Sequence, residues 1–217
     1  MSRIGTRLRG FSAFASLLFV CAVVGAASAE EDSARGRELF TNCTQCHGVT
    51  GSGSHLSLAP AIAGQDLWYV EAQLQNFRAG KRADNPQDLP GLRMRPMSRS
   101  IHSDEDVNIV AAYVANLPSV NPAPVLQGGD PQRGAITYNG ICAACHGADG
   151  AGNQAMGAPR LRHTNDWYLF SALQRFKAHI RGNNPPLGPV MQGMAASLAD
   201  EQAIKDVVAY ITTNLNQ

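Results

Sequence analysis

The sequence predicts an all-α protein made of two tandem copies of one small domain. Three observations carry this expectation. The arrangement Cys-x-x-Cys-His stands at Cys43 to His47 and again at Cys142 to His146. The residues around it return in one order: Pro60 as Pro159, Trp68-Tyr69 as Trp167-Tyr168, Leu74 as Leu173, Phe77 as Phe176 and Pro86 as Pro185, each 99 positions on. The spacing then falls to 97, pairing Met94 with Met191, Met97 with Met194 and Tyr113 with Tyr210. Finally, apolar residues recur at helical spacing, and no stretch alternates as a strand would. So many matches in one order mean duplication of a domain. The period is too long for a solenoid of short repeats.

Residues 1–29 differ in kind from the rest. Arg3, Arg7 and Arg9 precede an apolar run from Phe11 to Ala27, and Ala27-Ser28-Ala29 stands ahead of Glu30, Glu31 and Asp32. That pattern predicts a secretory signal peptide, cleaved after Ala29, and export to the periplasm. A retained membrane anchor is the competing reading, but the run is near the short limit for a spanning helix. Cys21 lies inside the run behind Val20, a poor neighbour for a lipidated cysteine, and is expected to be discarded with the leader. The whole chain has a formal charge of +1, and loss of three leader arginines brings it to −2. Such a balance gives no electrostatic footprint for nucleic acid. Export suggests disulfides, yet the four remaining cysteines all belong to the two motifs, leaving none for a structural bridge.

A short helix is expected before each motif, over Ala34 to Asn42 and Pro131 to Ile141. A second pair spans Leu67 to Ala79 and Tyr168 to Ala178. The last pair follows from i, i+3, i+4, i+7 spacing of Val107, Val110, Ala111 and Val114, and likewise Ile204, Val207, Val208 and Ile211. Ser103 and Asp200 are suited to cap their N-termini. Between the copies, Leu117 to Asp130 holds three prolines and two glycines and reads as a partly extended linker. The expected limits are an N-terminal domain over residues 30–117, a linker over 118–129 and a C-terminal domain over 130–217. Three short helices joined by long Gly- and Pro-rich loops bury little apolar surface, so each domain would be marginal alone. Something else must complete the core.

Cys-x-x-C-His is the attachment signature of c-type haem. Two thiols one helical turn apart reach two vinyl groups of one porphyrin, and the adjacent histidine ligates the iron. Cys43, Cys46, Cys142 and Cys145 are the expected thioether cysteines, and His47 and His146 the proximal ligands. A thioredoxin-like pair would need a βαβ setting, which is absent. A zinc site would need no histidine after each pair. The sixth ligand should come from far along the chain. Methionine suits electron transfer because it raises the potential and fills the open position. Met94 or Met97 in the first copy, and Met191 or Met194 in the second, stand at equivalent places before the last helix; packing is their plainer role. The carbonyls of Pro60 and Pro159 stand at matching distances after the motifs and are candidates to accept the free ring N–H of each histidine. Trp68 and Trp167 read equally as haem-edge or core aromatics. His55, His102, His163 and His179 have no counterparts in the other copy and read as surface or packing residues.

Beyond these motifs, the chain from Ala34 to Leu215 resembles the dihaem cytochrome c4 family. The resemblance rests on CTQCH and CAACH, on PAIAGQDLWYVEAQLQNFRAGKR, on MRPMSRSIHSDEDVNIVAAYVANL and on their second-half echoes. It implies two tandem class I cytochrome c domains related by a pseudo-twofold, two covalently bound haem c groups, and propionates near the interface. It also places the axial methionine at the first of each M-x-x-M, which are Met94 and Met191 here. In the second copy PRLRHTNDWY departs from the family's segment, which puts local packing rather than ligation in doubt. Family members are periplasmic electron carriers, soluble or loosely held at the membrane, often linked to terminal oxidases.

Two six-coordinate haems leave no open iron for a substrate, and the chain shows no triad, phosphate loop or paired-carboxylate pocket. The expected function is therefore an electron carrier between a respiratory donor and an acceptor such as a terminal oxidase or reductase, not an enzyme. The alternatives are a dihaem enzyme of thiosulfate dehydrogenase or peroxidase type, or the cytochrome subunit of a larger complex. Residues 30–117 carry a net −3 and residues 118–217 a net +1, an asymmetry able to orient docking. Arg78, Lys81, Arg82, Arg93, Arg95 and Arg99 gather near the first methionine pair, as a docking patch, a solvated face or partners for propionates.

Overall fold

The computed structural model describes residues 12–184 and 186–216, with side chains from Glu30 onward. The elements run α1 (Ser12–His47), α2 (Leu67–Arg78), α3 (Leu89–Arg99), α4 (Asp104–Asn116), α5 (Pro131–Thr137), a π-helical turn (Tyr138–Cys142), α6 (Ala143–His146), a 3₁₀ turn (Gln154–Met156), α7 (Asp166–Lys177), α8 (Leu187–Ala196) and α9 (Glu201–Asn214). No strand occurs among the described residues. Two isolated bridges, Ser54 with Ala59 and Asn153 with Ala158, are themselves repeats of each other. The leader expected over residues 1–29, its cleavage point and Cys21 lie outside the residues whose side chains are described. Among the described residues no helix is long and apolar enough to cross a membrane.

Two separate cores form. Phe40, Ile101, Val107, Val110 and Val114 make one. Tyr138, Leu169, Leu198, Ile204, Val207, Val208, Ile211 and Leu215 make the other. The expected helical stripes on α4 and α9 are the buried faces: Val107 and Val208 are fully buried. Each such aliphatic side chain contributes about 1.5–3 kcal/mol. The caps are also as expected. The Ser103 hydroxyl accepts from the Asp106 N–H, and the Asp200 carboxylate from that of Ala203, each at 2.9 Å.

In each copy the helix before the motif crosses the last helix at a glycine. A Cβ on Gly36 would come within 2.7 Å of the Tyr113 Cβ, and one on Gly134 within 2.9 Å of the Tyr210 Cβ. Beside this crossing Phe40 meets Tyr113, and Tyr138 meets Tyr210, both at 5.4 Å between ring centroids. Arg35 and Arg133 begin the two crossings. They lie eight and nine residues ahead of Cys43 and Cys142. The π-helical turn at Tyr138–Cys142 takes up the extra residue, so both motifs arrive at their histidines in the same register.

Arg133 donates to the Asp206 carboxylate through Nε at 2.7 Å and Nη2 at 3.1 Å. The same carboxylate accepts from the Asp130 N–H and from Gln202, both at 2.8 Å. These partners, the arginine foremost, lower the Asp206 pKa from 3.8 to about 2. A carboxylate with a depressed folded pKa contributes stability above its unfolded pKa and loses it as pH falls through the folded value. Asp206→Asn is therefore expected to destabilise the protein at neutral pH. In acid denaturation followed by circular dichroism, its deficit relative to the parent should shrink as pH falls from 3.8 toward about 2.

Two expectations need correction. The methionine segments, read as loops, are helices α3 and α8, despite Pro96 inside one and two glycines in the other. Propensity is a weak prior that tertiary contacts override. The helix before each motif also runs further than expected, continuing through the histidine itself.

The copies face each other through matched residues. Arg181 donates to the hydroxyls of Tyr168 at 3.1 Å and Tyr69 at 3.4 Å, and Arg82 donates to Tyr168 at 3.2 Å. Asn183 donates to Asp84 at 3.4 Å. Tyr69 and Tyr168, Arg82 and Arg181, and Asp84 and Asn183 are each 99 apart. Self-equivalent patches in contact are what a twofold produces. The flanking loops add Ala61 N–H to Asn165 Oδ1 at 2.5 Å and Gln65 Nε2 to the Arg160 carbonyl at 3.2 Å.

Candidate functional site

One continuous cavity of about 730 Å³ runs between the copies and reaches both motifs. Cys43, Cys46 and His47 line it on one side, and Cys142, Cys145 and His146 on the other. Ile62, Leu74, Phe77, Leu169, Leu173 and Phe176 give it an apolar wall. The helical turn explains the cysteine placement: residues i and i+3 share a face. Burial pushes the thiols of Cys43 and Cys142 up to about 11. None of the four is in a disulfide.

Both histidines are buried, and both are oriented by a backbone carbonyl. His47 Nδ1 lies 2.7 Å from the Pro60 oxygen, and His146 Nδ1 2.8 Å from that of Pro159. A carbonyl only accepts, so Nδ1 carries the hydrogen and Nε2 presents a lone pair. Burial lowers the pKa of each ring, the carbonyl opposing it, which keeps the imidazoles neutral. His47 Nε2 is buried with no hydrogen-bond partner. An orphaned, correctly oriented lone pair at an apolar cavity is what a metal ligand looks like without its metal.

Glycine makes the carbonyl approach feasible. Gly53 and Gly152, at φ of 83° and 85°, donate to the carbonyls of His47 and His146, both at 2.8 Å. A Cβ on Gly53 would come within 2.6 Å of the Pro60 carbonyl carbon, and one on Gly152 within 2.7 Å of that of Pro159. Only glycine lets the turn close onto the proline segment.

All four candidate methionines line the cavity, as does Met156. Met94 and Met191 are half-buried, whereas Met97 and Met194 are 38% and 41% exposed. The two tryptophans separate. Trp68 lines the cavity, while Trp167 is buried and packs against the ring of His55 at 5.1 Å. His163 pairs with Asn121 and His179 with Gln192, packing roles as expected.

Of the six grouped cations, three are half-buried. Arg82 points into the interface and lies 4.4 Å from the Phe77 ring centroid. Arg78 pairs with Asp104 at 2.6 Å, and Arg95 donates to the Ala83 carbonyl at 3.3 Å. Lys81, Arg93 and Arg99 remain exposed. Sequence reasoning missed the Arg82, Arg175 and Arg181 cluster around Tyr168; the 99-residue match of Arg82 with Arg181 was the available signal. Burial raises the Tyr168 pKa, but Arg181, Arg82 and Arg175 outweigh it and bring the hydroxyl below its ordinary value. This cluster of half-buried positive charge beside a largely apolar cavity suits a flat apolar group that carries carboxylates of its own.

The cytochrome c family model matches residues 33–118 and again 131–214. Cytochrome c4 from Stutzerimonas stutzeri is 30% identical over 204 residues, covering 90% of this chain and 95% of that protein. The chain belongs to the dihaem cytochrome c4 family. The crystal structure of reduced recombinant cytochrome c4 from Pseudomonas stutzeri superposes with a TM-score of 0.67 at 27% identity, covering 83% of this chain and 97% of that one. A thiosulfate dehydrogenase electron acceptor from Stutzerimonas stutzeri is 28% identical over 208 residues, 88% of this chain and 90% of its own length. Two class I cytochrome c domains, each with one covalently bound haem c, account for the duplicated motifs and the cavity between them. The family makes this cytochrome an electron-transfer protein.

Proposed function

We propose that this cytochrome is a periplasmic shuttle, exported by a leader cleaved after Ala29, that carries electrons from a respiratory donor to an acceptor such as a terminal oxidase. Its domains span residues 30–117 and 130–217, joined by 118–129. Cys43, Cys46, Cys142 and Cys145 form the thioethers, His47 and Met94 ligate one iron, and His146 and Met191 the other. The observation that carries this reading is the pairing, in each copy, of a carbonyl-oriented imidazole with a half-buried methionine on one apolar cavity. Bound haem supplies a one-electron couple. The protein's own part is to hold both axial positions filled, exclude water with the apolar wall, and keep each imidazole neutral through its proline carbonyl. Filled axial positions favour a carrier over an enzyme of thiosulfate dehydrogenase or peroxidase type.

Lys81, Arg93 and Arg99 are exposed on the N-terminal domain, whereas α8 of the C-terminal domain has no charged residue. That contrast supports two docking faces with different salt dependence. The thiosulfate dehydrogenase electron acceptor among the relatives supports a second reading of the donor side, an enzyme that oxidises a sulfur compound. The test is a redox titration of the purified protein with carbon monoxide present and absent. Two one-electron steps, unmoved by carbon monoxide, are expected. A step that shifts with carbon monoxide would reveal an open iron and overturn the carrier reading in favour of an enzyme.

A further inference from the structure

Among the interface contacts that the repeat does not mirror, one is an ion pair. Arg175 on α7 of the C-terminal domain donates through Nη1 to Asp88 Oδ1 of the N-terminal domain at 2.9 Å. The side chains are 14% and 3% exposed, so the pair is largely shielded from water. Arg175 is held from its own side by the Ser171 carbonyl at 3.1 Å and the Ser171 hydroxyl at 3.3 Å. Its repeat in the first copy is Asn76, which carries no charge.

Asp88 is not an ordinary interface residue. It is the N-cap of α3, and its carboxylate accepts from the Gly91 N–H at 3.3 Å while its carbonyl accepts from Leu92 at 2.8 Å. Six residues on, the same short helix carries Met94. A capping carboxylate gains from the positive end of the helix, but a buried one also requires a cation, and that cation is supplied by the other domain. The equivalent helix in the C-terminal domain, α8, starts at Pro186 with no side-chain cap. Met191 therefore has no such tie.

We propose that Arg175 is a positioning residue for the axial methionine of the first haem, acting across the domain interface through the Asp88 cap of α3. The inference rests on Met94 being that ligand. It makes the N-terminal haem's sixth ligand depend on contact with the C-terminal domain, while the C-terminal haem's ligand stands on its own. The two sites then differ in stiffness although their ligands are the same, and loosening the interface opens only one of them.

The probe is imidazole binding to the oxidised holoprotein, since an added ligand gains apparent affinity in proportion to the fraction of methionine that has let go. Met94→Ala and Met191→Ala identify which binding step belongs to which haem. Arg175→Met is expected to raise imidazole affinity at the first haem at least tenfold and to leave the second within about twofold. Arg175→Lys should restore most of the parent behaviour. Asp88→Asn should loosen the first haem with Arg175 intact, and it serves as the test if Arg175→Met does not fold. An unchanged first haem, or both haems loosened alike with a lower melting temperature, would reduce Arg175 to interface glue and overturn the proposal. If Met94→Ala itself changes neither haem, the ligand assignment has failed; if it opens the first haem and Arg175→Met does not, the brace alone has failed.

Discussion

Replacing Met94 with alanine is expected to lower the potential of one haem by on the order of 0.1 V, part of the roughly 0.8 V range that axial ligation spans, and to let that haem take carbon monoxide in the reduced state. Met191→Ala should do the same to the other. A thioether stabilises the reduced iron relative to a harder ligand, so its loss moves the potential down, not up. Alanine offers no donor atom, and the nearest thioethers on the same helices, Met97 and Met194, are the more exposed members of each pair. Spacing could not separate Met94 from Met97, because three residues along a helix rotate a side chain to within about 60° of its starting direction. Burial favours the first of each pair as the proposed ligand: it is half-buried, and the second is more than a third exposed. Unchanged spectra and potentials in both variants, with changes in Met97→Ala and Met194→Ala, would transfer ligation to the outer residues.

Most of the site was legible because its chemistry is local. Two thiols, a histidine and a proline 13 residues later are all within one sequence neighbourhood, and the His47 to Pro60 contact follows from that spacing once Gly53 permits the turn. Helices α2, α4, α7 and α9 were legible from apolar period and caps. What was not legible depended on distant partners. LPGLRMRPMSR and LGPVMQGMAA contain the residues that usually break helices, and α3 is fixed by an Asp88 cap whose counter-ion is 87 positions away. The π-helical turn was hidden because an eight- and a nine-residue approach to the same motif look alike until a register has to be closed. Arg82 was grouped with its neighbours as docking patch, solvated face or propionate partner, because sequence proximity to Lys81 says nothing about a hydroxyl 86 positions on.

The largest effect should follow from removing haem altogether. Produced in a host without haem-maturation machinery, and without its leader, the chain is expected to be colourless, largely unfolded by circular dichroism and quickly proteolysed. The reason is the volume between the copies. Holding about 730 Å³ of largely apolar space open would forfeit the burial and packing energy of the side chains that line it, and a typical domain is stable by only about 5–15 kcal/mol. Collapse offers only partial relief: Leu169 and Leu74 already pack in the two cores, but Phe77 and Phe176 turn toward that space. The half-buried arginines around Tyr168 worsen the balance, since Arg175 pairs with the buried Asp88 while Arg82 and Arg181 donate to tyrosine hydroxyls. Native-like helix content and a sharp thermal transition in the haem-free chain would show that protein packing alone completes the core, and would leave the cavity without its structural reason.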